Sequence, residues 1–128
     1  MSARTPQEQR NLDLVLALFD EVLNPLDAEA VDRFLGEDYI QHSALAGGGR
    51  EGLKAFLRQA KAETPLAVHD VKRCFTDGDH VVVHYHVRRT PDDTGFAVMD
   101  IFRIADGRIA EHWDVIQAVP GNAPNFMF

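Results

Sequence analysis

The spacing of hydrophobic residues changes once along this chain of 128 residues, near Ala67, and this change constrains the fold more than any other feature. Before Ala67, apolar residues recur three and four positions apart, which is the spacing of amphipathic helices. After it, short runs rich in β-branched and aromatic residues are separated by turn residues, which is typical of strands. Helices followed by consecutive strands predict an α+β domain in which the helices cover one face of a curved, mainly antiparallel sheet.

Three helices are expected in the first half. Thr5-Pro6-Gln7-Glu8 is a capping box with proline at the first helical position, and it predicts a helix over residues 6–23. Asp27 is expected to cap a short second helix. A third helix should contain Leu53, Phe56, Leu57 and Ala60. Residues 39–50, which include three consecutive glycines, are predicted to form a loop.

Four antiparallel strands are expected in the second half. Asp77-Gly78 and Asp106-Gly107 are typical hairpin turns, and residues 91–95 supply a longer connection. The predicted strands cover residues 68–76, 80–90, 96–105 and 108–119.

Composition predicts one globular domain over residues 1–128 that binds a small molecule. Hydrophobic residues make up 45% of the chain and charged residues 26%, which is ordinary for a folded protein. The net charge of −7 argues against nucleic acid and membrane surfaces as partners, because both attract clustered Lys and Arg. Cys74 is the single cysteine, and no signal peptide is evident, so a cytoplasmic location is expected.

The candidate site lies in the last predicted hairpin, where carboxylates and an imidazole occupy strand positions that usually carry aliphatic residues. A two-residue loop at Asp106-Gly107 would place Asp100 opposite Trp113. A three-residue loop shifts the pairing by one, and Asp100 then shares a face with His112 and Asp114. We prefer the second register because it brings the three polar groups together.

The residues Asp38-Tyr39-Ile40-Gln41-His42, Gly49-Arg50-Glu51-Gly52 and the hairpin from Asp100 to Asp114 resemble the SnoaL-like polyketide cyclase branch of the NTF2-like superfamily. The resemblance covers essentially the whole chain. It implies a cone-shaped α+β barrel, a homodimer, and a pocket between the concave sheet and the helices, with no metal or organic cofactor.

The resemblance also implies roles for individual residues. Cyclases of this family close a ring by aldol condensation with an aspartate base on the last strand, a position that corresponds to Asp114. Their supporting histidine corresponds to Asp100, so the acid–base pair differs in chemical type. Their assisting asparagine falls near Gln41 or His42.

Proton removal next to a carbonyl group needs a base near the carbon and a donor near the oxygen. We therefore predict Asp114, Asp100 and His112 as catalytic residues, with His112 also able to pair with Asp100 and hold it ionised. Predicted substrate-binding residues are Tyr39, Gln41, His42, His84, His86 and Phe102. His84 and His86 share a strand face and could instead ligate a metal together with Asp100 or His112. His69 and His80, near strand ends, are expected to be solvated.

The favoured function is a cofactor-independent enzyme that transfers protons next to a carbonyl group of a small hydrophobic substrate, as in aldol cyclisation or isomerisation. The alternative is a module of the same fold that binds a small molecule or dimerises without catalysis. The fold alone does not choose between them.

Overall fold

The computed structural model describes residues 3–121 and 127–128. Its helical segments are α1 (Pro6–Leu18), a π-helical turn (Phe19–Leu23), a 3-10 helix (Ala28–Arg33) and α2 (Gly49–Glu63). Its strands are β1 (Leu35–His42), β2 (Val68–Asp77), β3 (His80–Arg88), β4 (Phe96–Ala105) and β5 (Arg108–Ala118). The α+β prediction and all four predicted strands are confirmed.

Helix α1 begins at the predicted capping box. The Thr5 side-chain oxygen accepts a hydrogen bond from the Glu8 amide at 3.1 Å, and the Glu8 carboxylate accepts one from the Thr5 amide at 2.9 Å. The π-helical turn continues the helix as far as Leu23, where the predicted helix ends. Phe19 and Val22 are buried in this turn, and Phe19 packs edge-on against the ring of Tyr85 with centroids 4.9 Å apart.

The strands form one sheet in the order β1-β5-β4-β3-β2. Strands β2 to β5 pair antiparallel, and β1 lies parallel to β5. The prediction that residues 39–50 form a loop is therefore wrong for residues 39–42, which belong to β1. This strand is fixed by pairing with β5, more than 70 residues later in the chain, and contains an irregularity between Leu35 and Ile40 that interrupts its alternation.

The last hairpin has the preferred register, although its turn differs from the one expected. Asp100 pairs directly with Asp114, and Phe102 pairs with His112. The turn itself has two residues, Asp106 and Gly107, both with positive φ angles. A bulge between the Arg103–Glu111 and Ile104–Ile109 pairs adds one residue to β5 and produces the one-residue shift.

The hydrophobic core lies between the helices and the concave face of the sheet. Val81, Val83 and Ile109 are fully buried on the sheet side, and Val15 and Leu57 on the helix side. Each side chain of this kind contributes about 1.5–3 kcal/mol by leaving water. Among the described residues, no helix has the length and apolar character that a membrane crossing requires.

Candidate functional site

A cavity of about 120 Å³ lies between the concave face of the sheet and the helices. Most of its wall is apolar, and its polar residues are Asp100, His112, Asp114, Tyr39, Tyr85, Gln41, Ser43 and His69. Its apolar wall comes from all parts of the fold and includes Leu18, Leu53, Phe56, Val87, Phe96, Val98, Phe102 and Ile116. An apolar cavity with a few convergent polar groups is the usual form of a small-molecule site.

Asp100, His112 and Asp114 form a compact cluster at one end of this cavity. One ligand atom from each residue can be chosen so that all three lie within 4.8 Å of one another. Strands β4 and β5 hold them there, because Asp100 and Asp114 are directly opposite and His112 precedes Asp114 by two residues on the same face. Asp100 is 2% exposed and His112 is 7% exposed, whereas Asp114 is half-buried.

Burial raises the pKa of Asp100 above its ordinary value, because the charged carboxylate loses its hydration. The proximity and charge of His112 and the nearby hydroxyl group of Tyr85 oppose this rise, and the charge of Asp114 adds to it. The net effect is a pKa of Asp100 above its ordinary value. The site therefore contains two carboxyl groups in different environments, an arrangement in which one group can act as an acid and the other as a base.

Several polar atoms of the cluster have no hydrogen-bond partner within the described part of the chain. His112 Nε2 lies 3.1 Å from Asp100 Oδ1, a distance typical of an ion pair, yet the two atoms are not aligned for a hydrogen bond. His112 Nδ1 also has no partner. Because unsatisfied buried polar groups are costly and rare, these atoms are suited to a ligand that completes their hydrogen bonds.

Two tyrosines supply hydroxyl groups to the same end of the cavity. Burial, followed by the charges of Asp100 and Asp114, raises the pKa of both Tyr39 and Tyr85. Both phenols therefore stay protonated at neutral pH and can donate hydrogen bonds. Tyr39 donates to the side-chain oxygen of Gln41.

The structure places Tyr39, Gln41 and Phe102 in the cavity, as predicted for these three positions. Phe102 stacks on the His112 ring with centroids 4.8 Å apart, which fixes the orientation of the imidazole. His42 is not part of the cavity wall, so its predicted position was wrong. Strand alternation directs it to the opposite sheet face, where its Nε2 lies 2.8 Å from Glu111 Oε2 and its ring stacks on Trp113.

The predicted pocket positions of His84 and His86 were also wrong. Strand β3 directs Val83, Tyr85 and Val87 toward the helices, so the alternating histidines lie on the outer face of the sheet. They stack there on the ring of Phe128. A metal site that combines them with Asp100 or His112 is excluded, because those residues lie on the inner face. The cluster Asp100, His112 and Asp114 has donor atoms that could hold a divalent cation.

The sequence interpretation missed three polar cavity residues, Ser43, Tyr85 and, contrary to the solvated position expected for it, His69. The ring of His69 lies 5.9 Å from the ring of Tyr85 and 6.4 Å from that of Phe19, measured between centroids. Burial lowers the pKa of His69 to about 4, so it is neutral at physiological pH. Strand alternation could have identified this inward position, because His69 lies on the opposite face from Asp70 and shares a face with Val71, which points into the core. Its neighbours in sequence suggested a solvated strand end instead.

Comparison with known proteins supports the architecture. A candidate SnoaL-like polyketide cyclase from Jannaschia sp. CCS1 superimposes with a TM-score of 0.76 at 24% identity, over 91% of this chain and 92% of that one. A candidate polyketide cyclase from Sinorhizobium meliloti gives 0.67 at 26% identity, over 82% and 94%. A candidate isomerase of the SnoaL-like family from Agrobacterium tumefaciens str. C58 gives 0.66 at 18% identity, over 89% and 100%.

The cone-shaped fold is thus the one shared by proteins named as cyclases and isomerases. No curated protein sequence matches the chain. The model of the SnoaL-like domain matches residues 15–112, which is more than half of the chain. This protein belongs to the SnoaL-like domain family.

Proposed function

We propose that this protein is a cofactor-independent enzyme that transfers a proton next to a carbonyl group of a small hydrophobic substrate. The observation that carries the proposal is the convergence of Asp100, His112 and Asp114 at one end of an otherwise apolar cavity. Two carboxyl groups and an imidazole can provide both the base and the acid that this chemistry requires.

Asp114 is the proposed base. It is the least buried member of the cluster and lines the cavity, so its carboxylate can approach a substrate carbon while keeping some hydration. Removal of a proton from the carbon next to the carbonyl group transfers negative charge to the carbonyl oxygen. The low polarity of the surrounding wall strengthens every hydrogen bond that this oxygen accepts.

Asp100 and His112 are the proposed acid partners. Burial favours the protonated form of Asp100, and a neutral carboxylic acid can donate a hydrogen bond to a developing enolate. The hydroxyl group of Tyr85 lies near the same carboxylates and provides a further donor, whereas the single O–H of Tyr39 is already donated to Gln41. The partnerless nitrogens of His112 can align with the substrate oxygen once it is bound.

Two reaction outcomes use these groups without a co-reactant. In the isomerisation of a β,γ-unsaturated ketone, Asp114 removes a proton from the α-carbon and returns it to the γ-carbon of the resulting dienolate, which moves the double bond into conjugation with the carbonyl group. In an aldol cyclisation, the enolate carbon forms a bond to a second carbonyl carbon of the substrate, and the resulting alkoxide takes a proton from the acid partner. Both leave the oxidation state of the substrate unchanged.

The test is exchange of α-protons for deuterium in small cyclic ketones, followed by NMR in D₂O. This assay detects enolate formation without knowledge of the natural substrate. Wild-type protein should accelerate the exchange, and Asp114→Asn should lower the rate by about 10²- to 10⁴-fold, the usual contribution of a general base. The matched control is Asp20→Asn, the same substitution at an exposed aspartate.

Circular dichroism would establish that both variants are folded. If Asp114→Asn exchanged protons as fast as wild type, Asp114 would not be the base. If the ketones bound to wild-type protein and no exchange followed, the non-catalytic binding role would be the better account.

We also propose that the outer face of the sheet binds a second copy of the chain. Met99, Ile101 and Val115 are exposed on this face by 41%, 37% and 72%, although all three are large and apolar. Their strands β4 and β5 also hold the catalytic cluster on the inner face. A homodimer formed there would not involve the residues that line the cavity, which lie on the inner side of the sheet.

A further inference from the structure

We propose that His69 is a specificity-determining residue that selects an uncharged, ring-sized ketone with a second polar group, a hydroxyl or a second carbonyl, at the end away from the reacting carbonyl. This inference rests on the proposed function, and it names the class of substrate that the cavity accepts.

His69 presents a polar atom that the protein leaves unpaired. Its Nδ1 is buried and has no hydrogen-bond partner among the described residues. The backbone amide of His69 donates to Asn24 Oδ1 at 2.7 Å, which anchors the residue while its ring lines the cavity. Packing would be served equally by phenylalanine at this position. The imidazole is therefore explained best by a ligand group that pairs with it.

The strand register places His69 and the acid–base cluster at different ends of the cavity. On β3, His69 pairs with Val87, whereas Asp100 pairs with Val83. These positions are four residues apart on β3, a backbone offset of about 13 Å at 3.3 Å per residue, and the two side chains lie closer than this because both contact Tyr85. Tyr85 lies between them and contacts both, with its ring beside His69 and its hydroxyl interacting with Asp100. A ligand that fills the cavity thus meets one polar group at each end and apolar walls between them.

The charge state of the two ends excludes ionic substituents. His69 is neutral at physiological pH, so it offers one N–H donor and one acceptor nitrogen. A hydroxyl or carbonyl group can pair with such a ring, whereas a carboxylate or ammonium group would lose its hydration among Phe19, Phe96 and Val87 without gaining an opposite charge. The selected substituent is therefore uncharged.

The size of the cavity limits the substrate to about one ring. Its volume of about 120 Å³ is close to the ~150 Å³ of an apolar cavity that binds benzene. Drug-sized ligands occupy pockets of about 300–1,000 Å³. A six-membered ring with one small substituent opposite its carbonyl group is close to benzene in size and much smaller than a drug-sized ligand.

The experiment compares 4-hydroxycyclohexanone with 4-methylcyclohexanone, two ketones of similar size that differ in the proposed polar group. Wild-type protein should exchange the α-protons of the hydroxy ketone with a KM about tenfold lower than that of the methyl ketone, with similar kcat, because one hydrogen bond between neutral groups contributes at this level. His69→Phe should abolish the preference by raising KM for the hydroxy ketone. His69→Gln, which keeps a donor and an acceptor, should restore part of it.

Dissociation constants from NMR titration separate this inference from the proposed function. If neither ketone exchanges but the hydroxy ketone binds more tightly to wild type and loses that advantage in His69→Phe, the proposed function fails and the role of His69 stands. If exchange occurs with equal KM for both ketones, or if the preference survives in His69→Phe, His69 is not the selecting residue. If neither ketone binds, the proposed substrate class is wrong.

Discussion

Replacing Asp100 with asparagine should stabilise the folded protein relative to wild type, and the gain should increase with pH. Asparagine has nearly the same shape and stays neutral at every pH. The folded-state pKa of Asp100 is raised by burial above the value of about 3.9 in an unfolded chain. Wild-type stability from this group is thus fully present below the unfolded pKa and is lost as pH rises toward the folded pKa.

The size of the effect follows from proton linkage. A single carboxyl group can change the free energy of unfolding by at most about 1.36 kcal/mol per pH unit. The difference between Asp100→Asn and wild type should be constant below about pH 3.9, increase above it with a slope of up to that value, and level off above the folded pKa. Loss of hydration is the first cause of this cost, and it exceeds the compensation from His112 and Tyr85.

Urea unfolding between pH 4 and 8, followed by the fluorescence of Trp113, the single tryptophan, would measure this difference. The same pair compared in a His112→Gln background removes the contribution of the imidazole that lies 3.1 Å from Asp100 Oδ1. A difference that does not depend on pH, or that decreases as pH rises, would refute the reasoning. Ionisation of Asp100 would then cost no more free energy in the folded state than in the unfolded chain.

Further predictions concern the surroundings of the cavity and the proposed interface. Tyr85→Phe removes a hydroxyl group that stabilises the ionised form of Asp100, so NMR titration should show the pKa of Asp100 rising further. Gly52→Ala would place a Cβ atom 2.2 Å from the carbonyl oxygen of Gly47, so the loop before α2, whose Ala46 lines the cavity, must shift; KM for ketone exchange should rise while circular dichroism shows α2 intact. Val115→Glu should shift a dimer to monomers in sedimentation experiments, whereas an unchanged mass would contradict the proposed interface. Treatment with a chelator should leave exchange rates unchanged if protein side chains alone supply the acid and base.

The four sequential strands and the register of the last hairpin were predictable because their information is local. Alternating residues and Asp-Gly turns mark the strands. Pairing Asp100 with Asp114 places these two residues and His112 on the same face of the sheet. The bulge that creates this register was not predictable, since a three-residue turn would give the same shift. Strand β1 was missed because its pairing with β5 depends on residues distant in sequence, and its alternation is interrupted.

The errors at the candidate site concern which face of the sheet each residue occupies. Alternation of His84 and His86 with Val83 and Tyr85 already favoured an outward position, as in a half-buried strand, but the chemical interest of two histidines suggested the pocket. His69 gave the opposite error. Its position beside Asp70 suggested solvent, whereas the helical turn that carries Phe19 covers its ring. Only tertiary packing decides such cases.

The pH dependence of α-proton exchange by the wild-type protein is the most direct test of the central claim. An acid–base pair requires that the base is ionised and its partner protonated, so kcat/KM should fall at both low and high pH and give a bell-shaped profile. A protein-dependent rate that simply follows hydroxide concentration, or one equal to that of buffer alone, would contradict catalysis by the Asp100, His112 and Asp114 cluster.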